Sequence, residues 1–364
     1  MPLLAPMILV VLVACLGGCA QTEPGAALPV FSSPALNPSA EITRIAFGSC
    51  AKPENDQRMF DTILSRDPDV FLFIGDNVYA PNDLDPSLAG LRAQYQLLGE
   101  SAPFARLRER VPLLVTWDDH DFGPNDAGGD FAYKWKSQDI FNTVWDVAAG
   151  DPRSARDGVY FSKTVGPAGR RVQFILLDTR FFRTELALGS PGSGDRYGQQ
   201  MRPGASMLGE AQWRWLEAQL STPADLRILA SSIQVLADGH GFEAWRTMPI
   251  ERQRLFEVIR KTGADKLILL SGDRHSASFY RRDDLVEYPL LELTSSSLNH
   301  PLSNFVPNIV TEPGPHRLHE PYYEANFGEI EIDWEAGELS LSIRGADGGV
   351  VRALKVPLAA LGRR

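Results

Sequence analysis

Cysteine is scarce in this 364-residue chain, with only Cys15, Cys19 and Cys50, so no disulfide partner remains for Cys50 once the two N-terminal residues are set aside. Positive charge is also in deficit. Thirty-six Lys and Arg stand against 46 Asp and Glu, a formal net charge of −10, which leaves no basic stripe to neutralise the phosphates of a nucleic acid. Histidine is limited to six residues, which restricts any histidine-rich metal site. Ser232 and Ser271, the serines placed to act as nucleophiles, lack the G-x-S-x-G setting of a serine hydrolase. No internal repeat occurs, and no second Pro/Gly linker follows the N-terminal one. What is present, 44% hydrophobic and 23% charged residues, is the composition of an ordinary globular protein with room for one large domain.

The N-terminus accounts for two of the three cysteines. "LLAPMILVVLVACLGGC" is an apolar run ending in small residues, short for a transmembrane helix and with no Lys or Arg before Arg44. "LGGC" resembles the lipobox of bacterial lipoproteins. It implies a signal peptide over residues 1–18 and lipidation of Cys19, hence an exported protein held in the cell envelope, in the periplasm or as an outer-membrane lipoprotein. Residues 19–41, with Pro24, Pro29, Pro34 and Pro38, read as a disordered tether. Cys50 is then a lone thiol in an oxidising compartment, a liability unless it is buried or ligated.

From Ile42 onward, strand-like and helix-like segments alternate. "DVFLFIGD" and "VPLLVTWDDHD" are continuous apolar runs of the kind buried in central strands. "ENDQRMFDTILSR", "KWKSQDIFNTVWDV" and "IERQRLFEVIRKTG" carry apolar residues at helical spacing. Toward the C-terminus "LLELTS", "GEIEIDW", "ELSLSIR" and "VRALKV" alternate apolar and polar residues, predicting half-exposed strands. The order predicts one α/β domain over residues 42–357 that finishes in an antiparallel sheet, with 358–364 as a tail. Residues 185–207 form a long loop, a candidate lid, and the 299–325 region, with His300, His316 and His319, is a second candidate for shaping substrate choice.

The apolar strands end, one after another, on residues with chemistry. These are Cys50; Asp76, Asn77 and Tyr79; Asp118, Asp119, His120 and Asp121; Asp178 and Arg180; Ser232 and Gln234; and Asp273, Arg274 and His275. Taken singly, each has a structural reading: a helix cap, a solvated acidic loop, a local salt bridge, a small buried thiol. Together they describe one site, because ligands of α/β sheets bind beyond the carboxyl ends of the strands. Several carboxylates facing one cleft repel one another and would protonate unless a multivalent cation intervenes. The inventory is rich in oxygen with one sulfur. It suits hard cations such as Ca²⁺, or an oxidised iron on thiolate and phenolate, better than a histidine-rich zinc pair.

The elements "FGSC", "GDNVYA", "TWDDHDFGPND", "LLDTRFFR", "SSIQVLADGHGFEAW" and "LSGDRHSASF" resemble, in order, the alkaline phosphatase D (PhoD-like) branch of the calcineurin-like metallophosphoesterases. The resemblance implies a sandwich of two mixed β-sheets flanked by helices, and metal-dependent hydrolysis of phosphodiesters or monoesters at a centre of Fe³⁺ and Ca²⁺. Carried over by position, Cys50, Tyr79 and His275 would hold iron, Asp76 would bridge, and Asp119 and Asp273 would hold calcium. His120 would be the general acid and Arg180 the phosphate contact. Asp118, Asn125 and Gln234 are candidates for further ligands or supporting groups, and Arg274 and His240 for substrate contacts; spacing leaves Asp118 and Asp119 both open as the ligand. The expected partners are a phosphate-ester substrate and a membrane reached through Cys19, with a monomeric domain. The competing expectation is an envelope lipoprotein of the same fold that binds metal or a polymer without turnover.

Overall fold

The computed structural model describes residues 27–82, 85–306 and 308–363. The expected signal peptide, Cys15 and Cys19 lie outside the described residues. Among those described, no helix is long and apolar enough to cross a membrane.

Two six-stranded mixed sheets face each other. The strands of the first are β1 (Arg44–Gly48), β2 (Val70–Ile74), β3 (Leu113–Thr116), β10 (Asn326–Asp333), β11 (Glu338–Gly345) and β12 (Val350–Pro357), in the order β12-β11-β10-β1-β2-β3. In the second, β4 (Phe161–Val165), β5 (Val172–Leu176), β6 (Leu226–Ala230), β7 (Leu267–Ser271), β8 (Ala277–Arg282) and β9 (Leu290–Ser295) run in the order β4-β5-β6-β7-β9-β8. Parallel pairing joins β1, β2 and β3 in one sheet and β5, β6, β7 and β9 in the other, so the carboxyl ends of these strands meet at one edge of the sandwich. The expected antiparallel finish is β10-β11-β12.

Alternation along the strands divides the core. Ile45, Phe47, Leu72 and Ile74 point between the sheets toward Phe174, Leu176, Ile228 and Leu270. Their neighbours Ala46, Phe71 and Phe73 point outward, under α1 (Met59–Ser65), α2 (Ala89–Gly99), α3 (Ala102–Arg110) and α5 (Lys134–Val144). The one-turn α4 (Asp119–Phe122) precedes α5, and α6 (Gly209–Leu220) and α7 (Pro249–Thr262) cover the outer face of the second sheet. Helices on both outer faces make four layers, and the apolar runs are buried because both faces of every central strand are covered.

Three segments differ from expectation. Residues 27–41, assigned to the tether, lie on the domain: Phe31 is buried, its N–H donates to the Val144 carbonyl, and its ring meets Phe104 and Trp145 edge-on at 5.1 and 5.2 Å. The proline spacing concealed one aromatic residue large enough to anchor the segment. The tail is part of the core as well, since Leu358 and Leu361 are buried and the Leu361 carbonyl accepts from Lys266 N–H. Finally, "LLELTS" is not half-exposed. It forms β9 between β7 and β8, and buried Glu292 is satisfied by the backbone N–H groups of Val235 and Leu236.

Candidate metal centre and substrate cavity

Strand-end residues meet at one floor in two groups of potential ligands, and Asp273 lines the same cavity without joining either group. One ligand atom each from Cys50, Asp76 and His275 lie within 4.8 Å of one another, as do one each from Asp76, Asp119 and His120. Asp76 belongs to both groups and therefore stands between two candidate ion positions. Its Oδ2 lies 3.4 Å from Cys50 Sγ and accepts from the Tyr79 hydroxyl at 3.0 Å, while its Oδ1 accepts from His120 N–H at 3.3 Å. The chain bends sharply to bring these atoms together: Cys50, Asp76, Asp273 and His275 have φ of 56°, 48°, 68° and 51°, a left-handed region that costs non-glycine residues energy and that clusters at functional sites. Gly75, at φ 115°, lets the β2 turn pass Asp118, whose Cβ a side chain there would meet at 2.6 Å.

His275 has its tautomer set. Its Nδ1 lies 2.6 Å from the His300 carbonyl, which can only accept, so Nδ1 carries the proton and Nε2 is left for a cation. Asp119, first residue of α4, accepts from His120 N–H at 2.9 Å and from Asp126 N–H at 2.6 Å, which orients its carboxylate. Behind it, Asp121 accepts from Asp118 N–H at 2.6 Å and from the Asn77 side chain, so these two residues brace the turn.

The electrostatics fit a cation-binding site. Burial pushes the Cys50 thiol up to about 11, against the hydrogen bonds of Ser296, Tyr79 and Ser49. Asp76 is raised by burial and by the neighbouring Cys50, Asp119 and Asp118, and Asp273 by burial and by Asp118. For Asp119, burial is outweighed by His120, Arg180 and the Asp126 N–H, which hold it below the usual carboxylate range. A multivalent cation is the chemical answer to buried acids that resist ionising together. The buried Nδ1 of His120 has no protein partner, which leaves that ring atom free for a ligand or a proton.

Of Asp118 and Asp119, only Asp119 joins a ligand group. Asp118 instead accepts from Arg180 Nε and from Ser232 Oγ, both at 2.6 Å. Arg180, expected at the phosphate, is fully buried and also donates to Glu243 at 2.6 Å, while Arg183 pairs with the other Glu243 oxygen at 3.0 Å. Two carboxylates hold it, and it does not line the cavity, so it braces the floor. Gln234 and His240 are likewise withdrawn. Gln234 donates to Tyr280 and Thr294 and accepts from His240 Nε2 at 3.1 Å, and His240 is buried and held neutral, its pKa pushed down to about 2 by burial and by Arg274 and Arg246. Ser232 and Ser271 are tied to Asp118 and Thr294, which removes them as free nucleophiles.

A cavity of about 410 Å³ opens over this floor, lined by Asp76, Asp119, His120, Asp273 and His275 and by Asn125, Arg196, Arg274 and Glu312. A second cavity, of about 500 Å³ beneath residues 31–36, contains none of the strand-end residues. The 185–207 loop reaches the first cavity through Arg196, which pairs with Asp126 at 2.9 Å, and through Tyr197, which donates to the same carboxylate at 2.8 Å. Arg274 pairs with Glu312 at 3.1 Å and lies 4.6 Å from the centre of the Phe242 ring. Sequence reasoning did not single out Asp126, Arg196, Phe242, Glu243 or Glu312. The one available signal was Arg180 itself, since an arginine at the end of a buried strand needs carboxylate partners.

The family model of PhoD-like phosphatases matches residues 147–342. Alkaline phosphatase D of Bacillus subtilis (strain 168) is 23% identical over 281 residues, which cover 66% of this chain and 47% of the relative, so the chain spans about half the length of that curated protein. A solved structure of PhoD superposes with a TM-score of 0.67 at 16% identity, over 89% of this chain and 70% of the other, a likeness of fold.

Proposed function

Since the chain belongs to the family of PhoD-like phosphatases, we propose that it is a metal-dependent phosphoesterase, acting on phosphodiesters, monoesters or both outside the cytoplasmic membrane. The observation that carries this reading is the position of Asp76, shared by two groups of potential ligands at the floor of an accessible cavity. Cys50, Tyr79, Asp76 and His275 would hold one cation, of which Fe³⁺ best suits thiolate and phenolate. Asp76, Asp119 and Asp273 would hold the other, of which Ca²⁺ suits the oxygens. When bound, such cations supply a nucleophilic water near neutral pH and neutralise phosphoryl charge.

The chain's own groups do the rest. Arg274 and Arg196, the arginines that line the cavity, receive the anion, which matters in a protein of net charge −10. The water oxygen bonds to phosphorus as the ester P–O bond breaks, its proton passes to solvent, and His120 as the imidazolium gives its proton to the departing oxygen and regains one from solvent. Asp118, Arg180 and Glu243 hold the floor in place. Export by the N-terminal segment and lipidation of Cys19 belong to the same reading.

The test is elemental analysis with a visible spectrum, alongside hydrolysis of bis(4-nitrophenyl) phosphate and 4-nitrophenyl phosphate before and after chelation. A coloured, iron-containing protein whose activity disappears on chelation is expected. A colourless protein would remove iron from the proposal, and chelator-insensitive turnover would remove metal dependence.

A further inference from the structure

The cavity over the candidate metal centre has two unlike walls. One is the ionic floor already described. The other is built by Leu302, Phe305, Val306, Ile309 and Val310 of one short segment, and Phe242 lines the cavity beside Arg274. Isolated exposed apolar residues are common and need no explanation. Here five come from one short segment lining one cavity, and two of them face water openly: Phe305 is 48% exposed and Val310 is 86% exposed.

This wall is attached to the floor. Leu302 N–H donates to the His275 carbonyl at 2.8 Å, and Val306 N–H closes the turn onto the Leu302 carbonyl at 2.9 Å. The Phe305 ring meets the His275 ring edge-on at 5.2 Å and lies against the His300 ring at 5.1 Å. A phosphate at the ionic floor therefore brings the organic group of its ester within reach of Phe305. Arg274 lines the same cavity, paired with Glu312 and lying over the Phe242 ring.

We propose that this wall is a subsite for the organic part of the ester, and that the preferred substrates are phosphate esters carrying an apolar alkyl or aromatic group. The inference rests on the phosphoesterase reading of the floor and adds the class of alcohol. A polyol or sugar ester would leave Phe305 and Val310 facing water and gain nothing from them. An alkyl chain would cover them and gain affinity with each buried methylene. Phe305 and Val310 are specificity-determining residues on this account.

Calorimetric titration of the metal-loaded full chain with methylphosphonate, butylphosphonate and octylphosphonate tests the subsite, with hydrolysis of bis(4-nitrophenyl) phosphate run in parallel. Octylphosphonate is expected to bind about tenfold or more tighter than methylphosphonate, with butylphosphonate between, as partial burial of the chain in a half-open cavity requires. Phe305→Ser and Val310→Asp, both at exposed loop positions, should each reduce that ratio severalfold. Equal affinity across the series, or a gradient that both variants leave intact, overturns the subsite. Graded binding that the variants abolish, without any hydrolysis, upholds the subsite and removes the phosphoesterase reading instead.

Discussion

The floor and the rim of the cavity are built on opposite principles. Floor residues are the ends of buried parallel strands, and side chains there are oriented by neighbours: Asp119 by two N–H groups, His275 by the His300 carbonyl, Asp118 by Arg180 and Ser232. The rim consists of the 185–207 loop and the 299–325 region, tied to the domain by backbone hydrogen bonds such as Leu318–Phe279 and Tyr197–Gly241, and it meets the cavity through Tyr197–Asp126 and Arg274–Glu312. The difference teaches where each kind of residue acts. Damage to the floor should abolish chemistry or stability, whereas damage to the rim should alter affinity and leave the reaction intact.

The largest effect is expected from Asp76→Asn, which weakens both candidate ion positions together. Metal content by elemental analysis should fall, and turnover by at least about 10³-fold, some 4 kcal/mol of barrier. A variant that keeps its metal and its rate would dissolve the distinction between floor and rim. Next is Arg180→Met. It removes the arginine from buried Asp118 and leaves buried Glu243 with Arg183 alone, and should cost about 3 kcal/mol in denaturant unfolding. Were Arg180 instead a phosphate contact, stability would hold and KM would rise.

A smaller effect tests the layer behind the rim. His240 has its pKa pushed from 6.5 down to about 2, chiefly by burial and then by Arg274 and Arg246, so it stays neutral in the fold while the unfolded chain protonates below 6.5. Stability from this group is complete above that value and is lost progressively as pH falls from there toward 2. His240→Gln should therefore lessen the loss of unfolding free energy between about pH 7 and pH 5 by about 2 kcal/mol. The smallest effect belongs to the rim itself. Tyr197→Phe removes one hydrogen bond to Asp126 and should raise KM about fivefold, about 1 kcal/mol, with kcat nearly constant.

The same division separates what was legible in the sequence from what was not. The floor could be read because its signal is local: an apolar run followed by Cys50, by Asp76 and Tyr79, or by Asp119 and His120 states both the strand and what stands at its end. The strands followed from the same runs, and their division into two sheets followed from the family resemblance. Partnerships across long stretches of chain left no such mark. Nothing near Arg180 announces Glu243, 63 positions away, and that pairing turns a supposed phosphate contact into a brace. Gln234 and His240 misled in the same way, since both are polar and follow a strand, yet they satisfy each other. At the ends of the domain, Phe31 and Leu361 show how one large apolar side chain in a polar or proline-rich segment can commit it to the core.

The left-handed turns at Cys50, Asp76, Asp273 and His275 have a kinetic consequence. Each costs on the order of 1 kcal/mol, and together they lie on the ends of β1, β2 and β7. Relaxing any one would swing a ligand aside, but the other strands hold the remaining ligands in place. An ion bound there could escape only when several turns flip in concert, so exchange with solution should be slow.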